Sequence, residues 1–461
     1  MLSRSVPDRV SVPALVAALL ALTFVGALLV RADGDVSLLV RAAPPWTEEV
    51  GSRDSLTVQE ADDAFDGQFF YRLGVSPWST DETVEGVTFD LPALRNSRWG
   101  YGALAFAASG GNPDLVPWAL VGLNVAAAAA VGAIGGGLAR SSGRHAAWGL
   151  LLVLWPGFVY SLSLDTSELA ASAFLLGGLL ALRHRRWAIA ALALTAGIIT
   201  RDTTAVVPFG VAAAGLWLWW MERARHRTRS ATANGPSPEV AATTSVLVKP
   251  SGAADRSDRL ATSAETTVGG PARASAGGAV LVVVGAAPLA VFGAWQVLQR
   301  VRFDELPLTS SGDNNLSVPF GGLVEQLGAL LPPTGGDEAF RLLSMLGLIA
   351  LLGAAGWCWP SPSAPTGAGS TTTTHESASA PSATAVAERV AWLPAVAVVV
   401  VLNAYLWSGA TAFMRATTEA GLLSILVVLG SRRHRLVLPL VGLGLATLWA
   451  LTAIGQLTRI G

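Results

Sequence analysis

The sequence predicts an all-α polytopic membrane protein, a transmembrane helical bundle, and three observations carry that prediction. The chain is 52% hydrophobic and only 14% charged, with a mean hydropathy of +0.50, too apolar for an ordinary soluble globule. Apolar runs of bilayer-spanning length recur along it. Short arginine-rich loops separate these runs in a regular alternation. The formal net charge of -1 conceals a segregation, with acids gathered in the first long loop and arginines in the short loops. Nothing in this composition suits nucleic acid. A single cysteine, Cys358, excludes an intramolecular disulfide framework. Lys249 is the only lysine among 31 basic residues and alanine is abundant, a usage that fits a GC-rich bacterial genome.

Arg4 and Arg9 precede an apolar run at 12–30, long enough to cross a hydrocarbon core of about 30 Å at about 1.5 Å per residue. It reads as a signal anchor, because the apolar core of a cleaved signal peptide is usually shorter and no small-x-small site follows. Residues 31–98 are hydrophilic, with 13 acids against 6 arginines, so this loop can be translocated. Segment 99–109 reads as interfacial and 115–138 as the second span. Further spans are expected at 148–162, 169–182, 187–200 and 205–220, which complete an N-terminal transmembrane half, 1–220. The arginines at 140–144, 183–186 and 223–229 all fall on one side of these spans, as the positive-inside rule requires.

Residues 221–278, rich in Ser, Thr, Ala, Pro and Gly from 228 onward, cannot bury enough apolar surface to fold and are expected to form a disordered cytoplasmic insert. A second transmembrane unit, 279–359, holds spans at 280–298 and 340–359 around an outer loop at 299–338. Residues 360–388 form another low-complexity cytoplasmic loop. The C-terminal unit, 389–461, carries spans at 390–407, 417–429 and 436–457. The count is about eleven spans. It places the N-terminus in the cytoplasm, the C-terminus outside, and the protein in the cell membrane as a multi-pass chain.

Once the sides are assigned, the polar residues near span ends separate. Asp66, Asp165, Glu168, Arg201, Asp202, Asp313, Asn315 and Arg415 all lie on the outer side. An ionisable group at membrane depth costs about 2.5–3.5 kcal/mol on the insertion scale, so such groups tend to pair or to line a functional cavity. One outward-facing polar cavity is expected.

Four stretches carry a resemblance: Phe65-Asp66-Gly67-Gln68-Phe69-Phe70-Tyr71-Arg72, Asn96-Ser97-Arg98-Trp99-Gly100-Tyr101, Leu164-Asp165-Thr166-Ser167-Glu168 and Ile199-Thr200-Arg201-Asp202-Thr203-Thr204. Together they resemble bacterial integral-membrane glycosyltransferases of the GT-C type. The similarity covers roughly 12–220 and extends more weakly to 314–322. The resemblance implies a helical fold with a catalytic acid in the first outer loop and a polyprenyl-phosphate sugar as donor. The position of that acid matches Asp66, with Asp62-Asp63 as an alternative acidic pair. The implied reaction moves a hexosyl or pentosyl group, a mannose-like sugar among the options, to a glycan, lipid or protein acceptor on the outer face of the cytoplasmic membrane.

The chemistry fits these residue types. Sugar transfer from a lipid phosphate passes through an oxocarbenium-like centre, and an acceptor hydroxyl needs a carboxylate within about 2.6–3.2 Å to take its proton. Asp66 is the base candidate. The departing phosphate calls for guanidinium or metal; Arg201 leads here, with Arg72 and Arg415 behind it. Gln68 and Tyr71 could bind sugar hydroxyls. Asp165, Glu168 and Asp202 complete the set, although the first two could instead serve a helix N-terminus and Asp202 could pair internally with Arg201. A divalent cation held by Asp66 with Asp165 or Glu168 is open, but no spacing is diagnostic of a metal site. Phe69, Phe70 and Tyr71 read more readily as an interfacial aromatic belt than as a sugar platform. The rival readings are a transporter or lipid flippase, which would carry polar residues through both faces and often a repeat, and a non-catalytic envelope assembly protein.

Overall fold

Every apolar segment of the sequence becomes helix, but the helices are not equal in length. The computed structural model describes residues 8–233, 272–310, 315–359, 383–431 and 435–459. The first long helix is α1 (Ser11–Arg31). The loop after it contains α2 (Gly67–Val75), a two-stranded hairpin of β1 (Thr83–Val84) and β2 (Val87–Thr88), and α3 (Pro92–Ser97). The segment expected to be interfacial forms α4 (Trp99–Ser109), followed by α5 (Val116–Ser141), α6 (Leu150–Val153), α7 (Gly157–Ser163), α8 (Glu168–Arg183), α9 (Trp187–Thr200) and α10 (Val206–Ala233). The second unit holds α11 (Ala272–Phe303), α12 (Pro307–Ser310), α13 (Gly321–Ala329) and α14 (Gly336–Cys358). The last holds α15 (Ala383–Val401), α16 (Ala404–Trp407), α17 (Ala410–Ala416), α18 (Thr418–Gly430) and α19 (Val437–Arg459).

Among the described residues seven helices are long and apolar enough to cross a membrane, or nine if two bent pairs each count as one. The remaining two of the eleven expected spans are α8 and α9, with 16 and 14 residues, which reach only about 24 and 21 Å at about 1.5 Å per residue. Most of the expected disorder in 221–278 and 360–388 lies outside the described residues. Where those segments are described they are helical, since α10 runs on to Ala233, α11 begins at Ala272 and α15 begins at Ala383.

The bent pairs have local causes. Between α6 and α7 the chain turns by 66° at Pro156, whose ring disfavours helical backbone at the preceding residue. Between α17 and α18 the turn is 58° at Thr417, whose hydroxyl donates back to the Phe413 carbonyl at 2.8 Å, a bond that bends helices. The two breaks are fastened to each other, because the Trp155 indole donates to Thr418 Oγ1 at 3.1 Å and a Cβ on Gly421 would run into the same ring.

The two ends of the bundle differ in chemistry. At one end Arg183 forms a two-pronged pair with Glu388, 2.5 and 2.6 Å, and donates to the Leu138 carbonyl. Arg144 reaches the Leu429 carbonyl, and Asp8 accepts from the Ala146 amide. At the other end lie Asp66, Glu168, Arg201 and Arg415. Helix α8 joins the two, with Glu168 as its first residue and Arg183 as its last. Arg31, closing α1, donates to the Leu457 carbonyl near the end of α19, so the described chain begins at the basic end and finishes at the other. The run of three glycines at 135–137 permits close helix packing, as expected: a Cβ on Gly135 would meet the Gly149 carbonyl oxygen at 2.6 Å.

Candidate functional site

An alternating chain of carboxylates and guanidiniums is built from five separate parts of the sequence. Asp66 immediately precedes α2, and its position is fixed by Gly67, where any Cβ would collide with the carbonyl oxygens of Val40 and Leu164. Its Oδ1 accepts from Arg95 Nη1 at 2.8 Å and its Oδ2 from Arg415 Nη2 at 2.6 Å. Arg95, on α3, reaches onward to Asp90 at 2.6 Å. Arg415, beside the break between α17 and α18, reaches onward to Glu168 Oε1 at 2.5 Å. That same oxygen accepts from Arg201, which also lies 3.5 Å from Glu419. Arg201 sits where α9 has ended and its backbone is extended, so its side chain is free to enter the cluster. The order is therefore Asp90, Arg95, Asp66, Arg415, Glu168, Arg201, Glu419. The Phe69 and Phe65 rings lie 4.1 and 4.7 Å from the Arg95 and Arg415 guanidinium carbons, adding cation–π contacts.

Burial varies along this chain. Glu168 is wholly enclosed and Arg201 nearly so, whereas the Asp66 side chain keeps 21% of its surface open. Burial pushes the Asp66 carboxyl up, but the guanidiniums of Arg95, Arg415 and Arg98 together outweigh it and hold it well below the usual carboxylate range. Asp165 is the opposite case. It is fully buried in left-handed backbone, φ 46°, and neither carboxyl oxygen has a partner among the described residues. Burial alone pushes its carboxyl well above the ordinary value.

A cavity of about 840 Å³ opens onto the exposed side of this cluster. Its lining presents four guanidiniums, Arg95, Arg98, Arg201 and Arg415, against two carboxylates, Asp66 and Asp90, with Asn315 and Thr203 beside them. Glu168 and Glu419 stand behind the arginines rather than in the lining. The wall is thus electropositive and rich in donors, the composition that receives an anion.

Of the residues named from sequence, Asp66, Arg201, Arg415 and Asn315 meet in this cavity, and Glu168 holds two of them from behind. Asp202 pairs with Arg98 at 3.3 Å and not with its neighbour Arg201. Gln68, Tyr71 and Arg72 do not reach the cavity. Gln68 is buried and accepts from Thr47 Oγ1 at 2.7 Å. Tyr71 is wholly enclosed. Arg72 donates to the carbonyls of Glu82 and Val87 at 2.6 and 3.0 Å, which fastens the hairpin to α2. The cause is packing, since α2 is buried along its length from Gly67 to Gly74, while Asp66, one residue before it, faces the cavity. Phe69 and Phe70 are likewise buried, packed on Phe89 and Tyr101 and not set in an interfacial belt. Asp63 pairs with Arg41 at 3.3 Å, away from the cluster, and Asp313 lies outside the described residues. Among the described residues no three His, Cys, Asp or Glu side chains stand close enough to hold a metal ion together.

Sequence reasoning gave no role to Asp90, Arg95, Arg98 and Glu419. Glu419 carried a readable signal, an acid inside the apolar run 417–429. Asp90 and Arg95 flank Leu91-Pro92, where proline opens a short helix and brings residues 90 and 95 onto one side. No family model, no curated protein and no solved structure matches the chain.

Proposed function

We propose that the protein is a membrane glycosyltransferase that moves a sugar from a polyprenyl-phosphate carrier to an acceptor hydroxyl on the outer face of the cytoplasmic membrane. The observation that carries this reading is the meeting of Asp66 with Arg95, Arg201 and Arg415 in one cavity, the carboxylate 2.6 Å from the Arg415 guanidinium. In this reading the acceptor oxygen attacks the anomeric carbon while its proton passes to Asp66. The bond from that carbon to the phosphate oxygen breaks, and the phosphate leaves with the electron pair. Arg415, Arg95 and Arg201 receive the charge that develops there.

The depressed basicity of Asp66 has a place in the same scheme. A carboxylate bound by two guanidiniums is a weak base. An arriving phosphate competes for both arginines, and each contact it takes weakens the field that holds the Asp66 carboxyl down. Donor binding therefore raises the basicity of the group that must accept the proton.

The test is a reconstituted assay in proteoliposomes with labelled polyprenyl-phosphate sugars and a panel of acceptor extracts. A labelled glycosidic product supports the reading. Movement of the labelled lipid between leaflets without such a product rejects it in favour of a flippase.

A further inference from the structure

A second cavity, of about 670 Å³, opens at the same end of the bundle as the first and is lined from α7, α14, α17 and α19. One short segment of chain separates the two. Residues 408–411 line this cavity, whereas Ala412, Arg415 and Ala416 line the other. The chemistry of the two differs. The first presents four guanidiniums against two carboxylates, while here the charges balance, Asp337 and Glu338 against Arg341 and Arg459. The remaining polar lining is neutral, made of hydroxyl-bearing residues such as Tyr160 and Thr411 and of the Gln456 carboxamide.

Part of this has an ordinary explanation. Asp337 and Glu338 fall in the first turn of α14, where negative charge suits a helix start, and Glu338 accepts from the Thr334 amide and hydroxyl at 2.7 and 2.8 Å. Arg341 donates to the Ser408 carbonyl and so ties α14 to the segment before α17. Gln456 has no such explanation. It is only 4% exposed, near the end of an apolar helix. Its Oε1 accepts from Ser163 Oγ at 3.0 Å, and its Nε2 has no partner among the described residues. That amide group belongs to the cavity lining, so only an occupant of the cavity can satisfy it.

A free anion or cation gains little from a wall whose charges cancel. A neutral polyol gains more, because each of its hydroxyls both donates and accepts. Carboxylates and hydroxyl oxygens offer the acceptors, guanidiniums and the carboxamide offer the donors, and Phe340 and Leu451 offer apolar surface to ring C–H groups. The volume falls within the range of about 300–1,000 Å³ found for small-molecule sites. We infer that this cavity is a second, non-catalytic site that binds a neutral saccharide, with Gln456, Arg341 and Asp337 bonding to its hydroxyls. The site stands on its own lining and needs no step of the proposed transfer.

The test is saturation-transfer difference NMR on the full chain in phosphatidylcholine nanodiscs, with neutral trisaccharides of mannose, glucose and galactose as probes. At least one should bind with a Kd below about 10 mM, and excess polyprenyl phosphate should leave its signal unchanged. Gly455 lines the cavity, and a Cβ there would meet nothing within 4 Å, so Gly455→Trp fills the space without a collision at its root. This variant should weaken binding about tenfold or more, while Gly455→Ala leaves it intact. Failure of all three trisaccharides to bind, or equal binding by wild type and Gly455→Trp, would overturn the site. Displacement by polyprenyl phosphate would move the saccharide to the first cavity, and loss of signal in phosphatidylglycerol nanodiscs would make this a headgroup site; either result rejects the inference. Binding here without any sugar transfer would uphold the site and remove the glycosyltransferase reading. Transfer without such binding would do the reverse.

Discussion

Replacing Glu168 by glutamine removes a negative charge that Arg201 and Arg415 share. Its Oε1 accepts from Arg415 at 2.5 Å and from Arg201 as well, while Oε2 accepts from Ser161 Oγ at 3.1 Å, and no part of the side chain is exposed. Breaking a buried ion pair from one side costs about 3–5 kcal/mol, because the partner charge stays buried. Here the loss is softened, since Arg415 retains Asp66 at 2.6 Å and Arg201 retains Glu419 at 3.5 Å. We therefore expect Glu168→Gln to lower stability by about 2–3 kcal/mol, against about 1 kcal/mol for Ser161→Ala, which removes a single neutral donor. The assay is a detergent-denaturation titration of purified protein in mixed micelles, followed by tryptophan fluorescence. Combining Glu168→Gln with Arg201→Gln should cost about 1 kcal/mol less than the sum of the two single effects, because the contact between the two side chains is then lost only once. A Glu168→Gln midpoint equal to wild type, or a double variant that falls by the sum of the two single effects, would refute the junction drawn here.

Other expected outcomes follow from the same geometry. Asp165 has a raised pKa in the folded protein, so it is protonated there at pH values where the unfolded chain has lost that proton, and its effect on stability worsens as pH rises above about 3.9. Asp165→Asn should accordingly raise the thermal midpoint near neutral pH and flatten its fall with increasing pH, measured across a buffer series. Gly67→Ala would force its methyl against the Val40 and Leu164 carbonyls and displace Asp66, so any folded protein recovered should show at least a tenfold drop in transfer rate. Arg72→Ala should loosen the hairpin at residues 83–88, seen as faster hydrogen exchange there, with the donor KM of the folded fraction unchanged because Arg72 does not line the cavity.

Hydropathy and arginine placement were sufficient to locate the seven long apolar helices and the two bent pairs, because long apolar runs have few other stable arrangements in a membrane, but not the short helices α2, α3, α12 and α13 inside the segments read as loops. They could not foresee that two spans would bend. The Pro156 break had a residue to announce it, whereas the Thr417 break rests on a side-chain bond to Phe413 that many threonines in apolar helices never make. The site was legible where a charged residue interrupted apolar surroundings, as at Glu168, Arg201 and Arg415. It was illegible in the first loop, where Asp90 and Arg95 lay among many acids and arginines and read as solvated charge. Arg98 stood inside a stretch quoted for its resemblance, yet its pairing with Asp202 depends on α4 packing near the end of α9, a long-range contact that neither segment encodes alone. Gln68, Tyr71 and Arg72 show the converse error, in which closeness in sequence to Asp66 stood in for closeness in space.

The most direct measurement compares single-turnover sugar transfer by wild type and Asp66→Asn in the same proteoliposomes, with binding of unlabelled polyprenyl phosphate measured alongside. Arg95 keeps Asp90 and Arg415 keeps Glu168 in the variant, so the folded state should persist. The expected result is retained lipid binding with transfer slowed about 100- to 10,000-fold, the range a positioned general base supplies. Transfer at the wild-type rate by a folded Asp66→Asn protein would contradict the role given to this carboxylate.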